Sequence, residues 1–236
     1  MQGVGAGVTW RALREARRYL AGAVLVELAL LALGRPVGRV LTGAAVTCLV
    51  FFRDPSRPGP REDAVVYAAA DGVVVGVEPA QEPWLGDQEA VRISTFLSLH
   101  NVHVNRSPVA GRVAEAEELP GSFAPALLGR AGENHRRRMA IDGERGRVVI
   151  VQVAGAVARR IALWVRIGNS VAAGERIGLI HFGSRTDVLL PAGSVEVSVS
   201  RGDRVRGGVS ALARYRGEGA ACGSSSQRRT WSPAAA

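Results

Sequence analysis

The sequence contains no lysine, because all 30 of its basic residues are arginines. A chain without lysine cannot form a lysine Schiff base with pyridoxal phosphate or carry a lipoyl or biotinyl group. It also lacks the lysine of a phosphate-binding P-loop. Cysteine is scarce as well, with Cys48 in an apolar run and Cys222 in a polar tail. Two isolated cysteines exclude a disulfide framework and give no metal site with suitable ligand spacing.

Aromatic residues make up only 5% of the chain, too few for a surface that stacks nucleic-acid bases. A nucleic-acid-binding β-barrel is therefore disfavoured, and we expect no nucleic-acid partner. The formal net charge of +9 suits a different anionic partner, namely an anionic phospholipid membrane. Abundant glycine and short valine-rich runs favour strands and tight turns over a helical bundle.

No apolar run reaches the roughly 20 residues that a membrane-spanning helix needs. Two shorter runs occur, Leu20 to Leu33, broken by Glu27, and Val40 to Phe52; four arginines precede the first. A buried core hairpin, an interfacial or re-entrant hairpin and a pair of short spans all fit this pattern. We predict a basic, membrane-associated helical segment over residues 1–52, held at the cytoplasmic face of the cell membrane.

The rest of the chain divides by composition. Residues 53–64 hold three prolines among charged side chains and indicate a linker. A β-rich catalytic domain is predicted over 65–216, and a Gly, Ala and Ser-rich tail over 217–236 is expected to be disordered. Strands are predicted at Val73–Val77, Val91–Phe96, Val148–Val153, Ile161–Val165, Ile177–Phe182 and Val195–Val199.

An internal repeat runs through this domain. The sequence Gly168-Asn169-Ser170-Val171, followed by Gly174, recurs as Gly202-Asp203-Arg204-Val205, followed by Gly208. Residues 70–74 likewise resemble residues 108–113. Gly-Asx turns after strands are typical of hairpins. The sequence therefore predicts a mainly β fold, a sandwich or barrel of duplicated lipoyl-like hairpins behind an N-terminal apolar helical hairpin.

Two places could carry chemistry. His100 and His103 lie three residues apart where a predicted strand ends, so both could line a cleft or be ordinary loop histidines. Gly183-Ser184 follows an apolar strand. A serine that attacks its own preceding carbonyl benefits from glycine there, since glycine tolerates strained backbone. An ordinary turn would give the same dipeptide.

Several segments, in this order along residues 50–192, together resemble the phosphatidylserine decarboxylase family in its short form. These segments are Phe51-Phe52-Arg53-Asp54-Pro55, Ala69-Ala70-Asp71-Gly72, Val102-His103-Val104-Asn105-Arg106-Ser107-Pro108, Glu133-Asn134, Val151-Gln152-Val153-Ala154-Gly155, Ala158-Arg159-Arg160-Ile161 and Phe182-Gly183-Ser184-Arg185. The family's usual proline is replaced by Ala69.

The resemblance implies a self-cleaving enzyme that makes phosphatidylethanolamine and CO₂ from phosphatidylserine. Ser184 would attack the Gly183 carbonyl to give an ester, and β-elimination would release chain 1–183 and leave dehydroalanine at position 184. Hydrolysis would convert this dehydroalanine into the covalent pyruvoyl cofactor. Chains 1–183 and 184–236 would stay together as a heterodimer and could dimerise further. The carbonyl of that group accepts the electrons released by CO₂ loss, as pyridoxal phosphate does elsewhere.

The resemblance also suggests roles for individual residues. Asp71 would orient or polarise the processing machinery, and His103 would serve the decarboxylation step. Long forms carry their self-cleavage base three residues after this histidine, where this chain has Arg106. His100 or His103 could therefore supply the base, while Arg106 could bind the substrate carboxylate or phosphate, or cap a turn.

Two other functions remain open from sequence. One is a pyruvoyl decarboxylase of a related serine-bearing lipid, such as an archaetidylserine-type ether lipid. The other is a non-catalytic, lipoyl-like membrane adaptor, which would not be cleaved and would give no reason for the ordered His103 and Gly183-Ser184 motifs.

Overall fold

The computed structural model describes residues 10–35, 38–57, 62–122, 134–155, 160–181 and 184–217. Gly183, residues 58–61 of the predicted linker and residues 218–236 of the predicted tail lie outside these ranges. The N-terminal hairpin is confirmed: α1 spans Trp10–Ala32 and α2 spans Arg39–Phe51.

Glu27, the acidic residue inside the first apolar run, holds the two helices together. Its carboxylate accepts hydrogen bonds from the backbone N–H groups of Gly38 (2.9 Å) and Leu41 (2.8 Å) at the start of α2. The first N–H groups of a helix lack intrahelical partners, so a carboxylate there stabilises the helix end. These bonds hold the pKa of Glu27 below its usual range.

The remainder of the described chain is mainly β, as predicted, and all of its strand pairs are antiparallel. The fourteen strands are β1 Val65–Tyr67, β2 Gly72–Ala80, β3 Ala90–Leu97, β4 Val104–Arg106, β5 Gly111–Leu119, β6 Arg136–Gly143, β7 Gly146–Val153, β8 Ile161–Leu163, β9 Ser170–Val171, β10 Arg176–Ile180, β11 Ser184–Pro191, β12 Val195–Val197, β13 Arg204–Val205 and β14 Ala211–Tyr215.

These strands form one large sheet and two small ones. The large sheet has the order β13-β2-β3-β11-β7-β6-β5-β9 and curls into a half-barrel. The small sheets have the orders β1-β14-β12 and β4-β10-β8. The main apolar core includes Val74, Ile93, Val113, Ile150 and Val188 from the large sheet.

The sequence repeat corresponds to a structural repeat. Strand β9 pairs with the start of β5, and β13 pairs with the start of β2 in the equivalent register. A Cβ added at Gly72 would come within 2.0 Å of a backbone oxygen, and one at Gly111 within 2.3 Å. Glycine is therefore required where each repeat begins, which explains why both segments share it.

The helical hairpin packs against the small sheet β4-β10-β8 through a second apolar cluster. Its buried members are Ala12, Ala16, Cys48, Phe51, Phe52, Val102, Val104 and Leu179. Small alanines on α1 allow the helix to approach closely, and the two phenylalanines at the end of α2 reach the strands. This docking places the helices directly over the histidine segment.

Candidate active site

Ser184 opens β11, which lies in the middle of the large sheet between β3 and β7. Side chains alternate along a strand, so Ser184, Thr186 and Val188 face one side of the sheet. The Ser184 side chain is fully buried, and its hydroxyl has no hydrogen-bond partner among the described residues. Buried polar atoms are nearly always paired, so an unpaired hydroxyl is a candidate reactive group.

His103 lies just before β4 and is completely buried. Its Nδ1 is 2.9 Å from the backbone carbonyl of Asn101. A carbonyl can only accept, so Nδ1 carries the proton and Nε2 keeps its lone pair. Burial, the largest cause, lowers the pKa of His103 to about 4, and Nε2 has no partner among the described residues. The ring is therefore a neutral base at neutral pH.

A second buried histidine, His181, joins this region, although the sequence analysis assigned it no role. The amide of Ile180 donates to the His103 carbonyl (3.2 Å), so His103 lies beside the segment that leads to Ser184. Burial, followed by the charges of Arg18 and Arg160, lowers the pKa of His181 to about 3. His181 lies only three residues before Ser184 in sequence, but its position near His103 depends on the long-range pairing of β10 with β4, which local spacing did not reveal.

The side chain of His181 contacts two residues of α1, Tyr19 and Glu15. The Tyr19 hydroxyl lies 3.0 Å from Nδ1, while Nε2 is 3.5 Å from the Glu15 carboxylate without the alignment of a hydrogen bond. With Tyr19 donating, Nε2 carries the proton and faces the carboxylate, which is the electrostatically favoured tautomer. His181 thus links the helix to the strand that precedes Ser184.

Aromatic rings from the helical hairpin cover both histidines. The Phe51 ring centroid lies 4.1 Å from that of His103, and the Phe52 ring meets His181 edge-on at 5.6 Å. These contacts keep water away and favour the neutral imidazoles. The segment that resembles the family's entry motif therefore forms the apolar wall of the site.

Asp71 lies at the start of the first repeat, where its carboxylate is held by two partners. Arg57 donates to both carboxylate oxygens, from Nη2 at 2.7 Å and from Nη1 at 2.5 Å, and the Gly207 amide donates at 2.8 Å. The charge of Asp71 favours protonation of His103, yet the structure gives no direct contact between them.

Arg106 forms a buried ion pair with Asp54. Its Nη2 donates to Asp54 (2.7 Å) and to the Pro55 carbonyl (3.0 Å), and its Nη1 donates to the Gly174 carbonyl (3.1 Å). Arg176 also donates to Asp54. Burial lowers the pKa of Arg106 to about 10, so it stays charged at neutral pH. These contacts fit a structural role for Arg106. Substrate binding by Arg106 stays a prediction.

We expect Asp54→Asn to lower the free energy of unfolding by roughly 3–5 kcal/mol, because it leaves Arg106 buried without its counter-charge. Urea unfolding in a Ser184→Ala background, which should keep the chain uncut, measures this. Glu78→Gln is the matched control, since Glu78 pairs with Arg92 on the surface (2.9 Å) and should contribute less than about 1 kcal/mol. Equal losses in both variants would contradict a structural role for the buried pair.

His100 lies in the turn that precedes His103, and its side chain is exposed. Its backbone carbonyl, rather than its ring, is held by Arg53. The structure therefore buries His103, His181 and Ser184 and leaves His100 exposed. Gly183, the other half of the predicted cleavage site, lies outside the described residues.

Comparison with known proteins gives consistent matches. The family model described as phosphatidylserine decarboxylase matches residues 45–213. A phosphatidylserine decarboxylase proenzyme from Symbiobacterium thermophilum is 47% identical over 194 residues, covering 80% of this chain and 90% of the relative. A proenzyme of the same description from Azorhizobium caulinodans is 42% identical over 206 residues, covering 86% and 88%.

Proposed function

The chain belongs to the phosphatidylserine decarboxylase family, and we propose that it converts phosphatidylserine to phosphatidylethanolamine after cutting itself between Gly183 and Ser184. The observation that carries this proposal is that the Ser184 hydroxyl and the Nε2 of the neutral His103 are both buried and both without a hydrogen-bond partner among the described residues. The first is a candidate nucleophile and the second a candidate base.

The residues present fit a covalent pyruvoyl group derived from Ser184. The reaction needs an electron-accepting carbonyl, and a chain without lysine cannot bind pyridoxal phosphate through a Schiff base. A pyruvoyl group at residue 184 would supply that carbonyl at a fully buried position. Because Ser184 sits at the very start of β11, the new chain terminus would remain at this place in the sheet.

We assign the proton transfers to His103. Its Nδ1 is fixed by the Asn101 carbonyl, so its Nε2 is presented as a proton acceptor, and Phe51 fixes the ring plane. The same nitrogen can take a proton during self-cleavage and return one after CO₂ loss. Asp71 supports the protonated ring through its charge. His100 is the less suitable base, since its ring is exposed.

The two products of cleavage should stay together as a heterodimer. Strands β11 to β14 belong to the 184–236 piece, and β11 is hydrogen-bonded to β3 on one side and β7 on the other. Separating the pieces would break both ladders and expose the apolar core. The heterodimer is therefore held by the fold itself, without any bond across the cut.

The helical hairpin is the surface that we assign to the membrane. No helix in the described part of the chain is long and apolar enough to cross a bilayer. The hairpin nevertheless exposes many large apolar side chains, which are Val24, Leu25, Val26, Leu28, Leu31, Leu33, Val40, Leu41, Val46, Leu49 and Val50. Such an apolar surface, on the same hairpin as the arginines of α1, suits shallow insertion into an anionic leaflet at the cytoplasmic side.

The proposed activity is tested with the purified chain and vesicles that contain phosphatidylserine. We expect phosphatidylethanolamine and CO₂ in equal amounts, measured by lipid mass spectrometry and gas release. A chain that is fully cut at residue 184 yet forms no phosphatidylethanolamine would overturn the substrate assignment and point to a different amine-bearing lipid.

Membrane binding by the helical hairpin is tested separately. The triple variant Leu25→Gln, Leu28→Gln, Leu31→Gln should weaken binding to anionic vesicles at least about 100-fold, because each leucine loses its transfer into lipid. Vesicle sedimentation measures this. Ile167→Gln, an equally exposed apolar residue outside the hairpin, is the control and should change little. Unchanged sedimentation of the triple variant would rule out the hairpin as the docking surface.

A further inference from the structure

An exposed arginine lies directly beside the chain segment that leads into Ser184. Strand β8 pairs with β10 so that Ile161 lies opposite Ile180, and the His181 amide donates to the Arg160 carbonyl (3.0 Å). Arg160 therefore lies next to His181, which is three residues before Ser184. Its side chain is 50% exposed, unlike the buried groups around it.

Arg160 also lines an open cavity of 480 Å³. Its lining includes Glu15 from α1, Glu118 and Arg137 from the large sheet, His135 just before β6, and Arg160 with Ile161. Arg137 is held closely by Glu118, with Nε at 3.0 Å. The guanidinium of Arg160 lies 3.4 Å from Glu15, a looser contact that a ligand can replace. The cavity is large enough for a phosphoserine headgroup.

The positive charge of Arg160 reaches the buried site. Arg160 and Arg18 both disfavour protonation of His181, which means that their fields extend to the segment before Ser184. The same fields attract an anion that approaches from the cavity. Glu15 lies between Arg160 and His181, 3.5 Å from the latter, so the cavity and the buried histidine share one carboxylate.

We propose that Arg160 binds the phosphate of the lipid substrate in this cavity and so sets the position of the serine headgroup relative to residue 184. This inference rests on the proposed function. Guanidinium and phosphate form strong, charge-assisted hydrogen bonds, and an exposed arginine makes them with little desolvation.

The phosphate suits Arg160 better than the substrate carboxylate does. Decarboxylation removes the carboxylate charge, so a salt bridge to that carboxylate would stabilise the ground state more than the transition state and would slow the reaction. The phosphate charge is unchanged by the reaction, so binding it carries no such penalty. The apolar wall of Phe51 and Phe52 is the better surroundings for the group that leaves as CO₂.

Arg106, the arginine that the sequence analysis offered for this task, is engaged elsewhere. Its terminal nitrogens donate to Asp54, Pro55 and Gly174, and it is 4% exposed. A substrate would have to break a buried ion pair to reach it. Arg160 needs no such rearrangement, which is why the structure favours it.

The test uses the mature, cleaved enzyme in mixed micelles of phosphatidylserine and an uncharged detergent. Arg160→Gln should raise KM at least about tenfold and leave kcat within about threefold, while Arg160→Lys should recover part of the loss. Arg201→Gln removes the same charge from an exposed turn and is the control. Equal KM values for Arg160→Gln and Arg201→Gln would overturn the proposal.

Binding of headgroup fragments, which needs no catalytic turnover, identifies the substrate group that Arg160 contacts. By calorimetry, glycerol 3-phosphate should bind Arg160→Gln at least about tenfold more weakly than wild type, and free serine should bind both equally. Weaker binding of serine alone would assign Arg160 to the carboxylate and overturn the phosphate contact. If wild type proved inactive on phosphatidylserine, the proposed function would fail, yet the glycerol 3-phosphate comparison would still decide the role of Arg160.

Discussion

Ser184→Ala should yield a single uncut chain of 24.8 kDa and no measurable decarboxylation, whereas wild type should give two fragments split between Gly183 and Ser184. Without the hydroxyl there is no nucleophile for cleavage and no precursor of the carbonyl group. The lost activity should therefore be the whole rate enhancement rather than a fraction of it. Intact mass spectrometry measures both outcomes, and the smaller wild-type fragment should carry a pyruvoyl-blocked N-terminus.

Ser94→Ala is the matched control for this change. Ser94 is also a buried strand serine, in β3 directly opposite Asp187 of β11, so its loss tests whether any buried serine of this sheet affects processing. We expect Ser94→Ala to be cut normally. If Ser184→Ala were cut as well, the nucleophile would lie elsewhere and the assignment of the cleavage site would be wrong.

Counted per cleaved chain, His103→Gln should lower kcat for decarboxylation by about 10²–10⁴-fold, the usual contribution of a general acid–base residue. Glutamine can keep a hydrogen bond to the Asn101 carbonyl but cannot exchange the proton. His100→Gln is the natural control, since it removes a histidine three residues away that lies outside the buried site. It should retain activity within about twofold, and circular dichroism should show both variants folded.

The time course of self-cleavage in these two variants separates the candidate bases. If His103 serves in self-cleavage as well as in decarboxylation, the uncut precursor of His103→Gln should accumulate, while His100→Gln should be cut at the wild-type rate. Prompt cleavage of His103→Gln together with slow cleavage of His100→Gln would assign processing to His100 and leave His103 with decarboxylation alone.

The pH dependence of wild-type cleavage is an independent test of His103 as the base. Burial holds the pKa of His103 at about 4, so the imidazole is a neutral base at neutral pH and is lost as a base only when pH falls through about 4. Cleavage should therefore stay constant from about pH 8 to pH 5 and decline below that. A decline already between pH 7 and 6 would indicate a histidine with an ordinary pKa and would contradict this assignment.

Much of the site could be predicted from sequence because its signals are local. The Gly-Asx turns of the repeat, the histidine segment around His103 and the Gly183-Ser184 dipeptide each occupy a few consecutive residues. The mainly β fold with its helical hairpin followed from the same short-range patterns, and the structure confirms it. The absence of lysine restricted the possible cofactors without any knowledge of the fold.

Other features depend on residues that are far apart along the chain. His181 lies near His103 only because β10 pairs with β4, and Arg160 reaches His181 because β8 pairs with β10. Arg106 faces Asp54, 52 positions earlier, which fits the structural alternative left open by the sequence. Phe51 and Phe52 cover the histidines because the helical hairpin docks on the small sheet.

The sequence by itself thus supplied the nucleophile candidate, the histidine segment and the repeat, and its lack of lysine excluded pyridoxal phosphate bound as a Schiff base. The tertiary structure decided which histidine ring is buried and which is exposed, which arginine is committed to an ion pair and which faces a cavity. The physical reason is that turn geometry and residue chemistry are local properties. Burial and electrostatic partners instead depend on which strands pair and where the helices pack, and those contacts join residues distant in sequence.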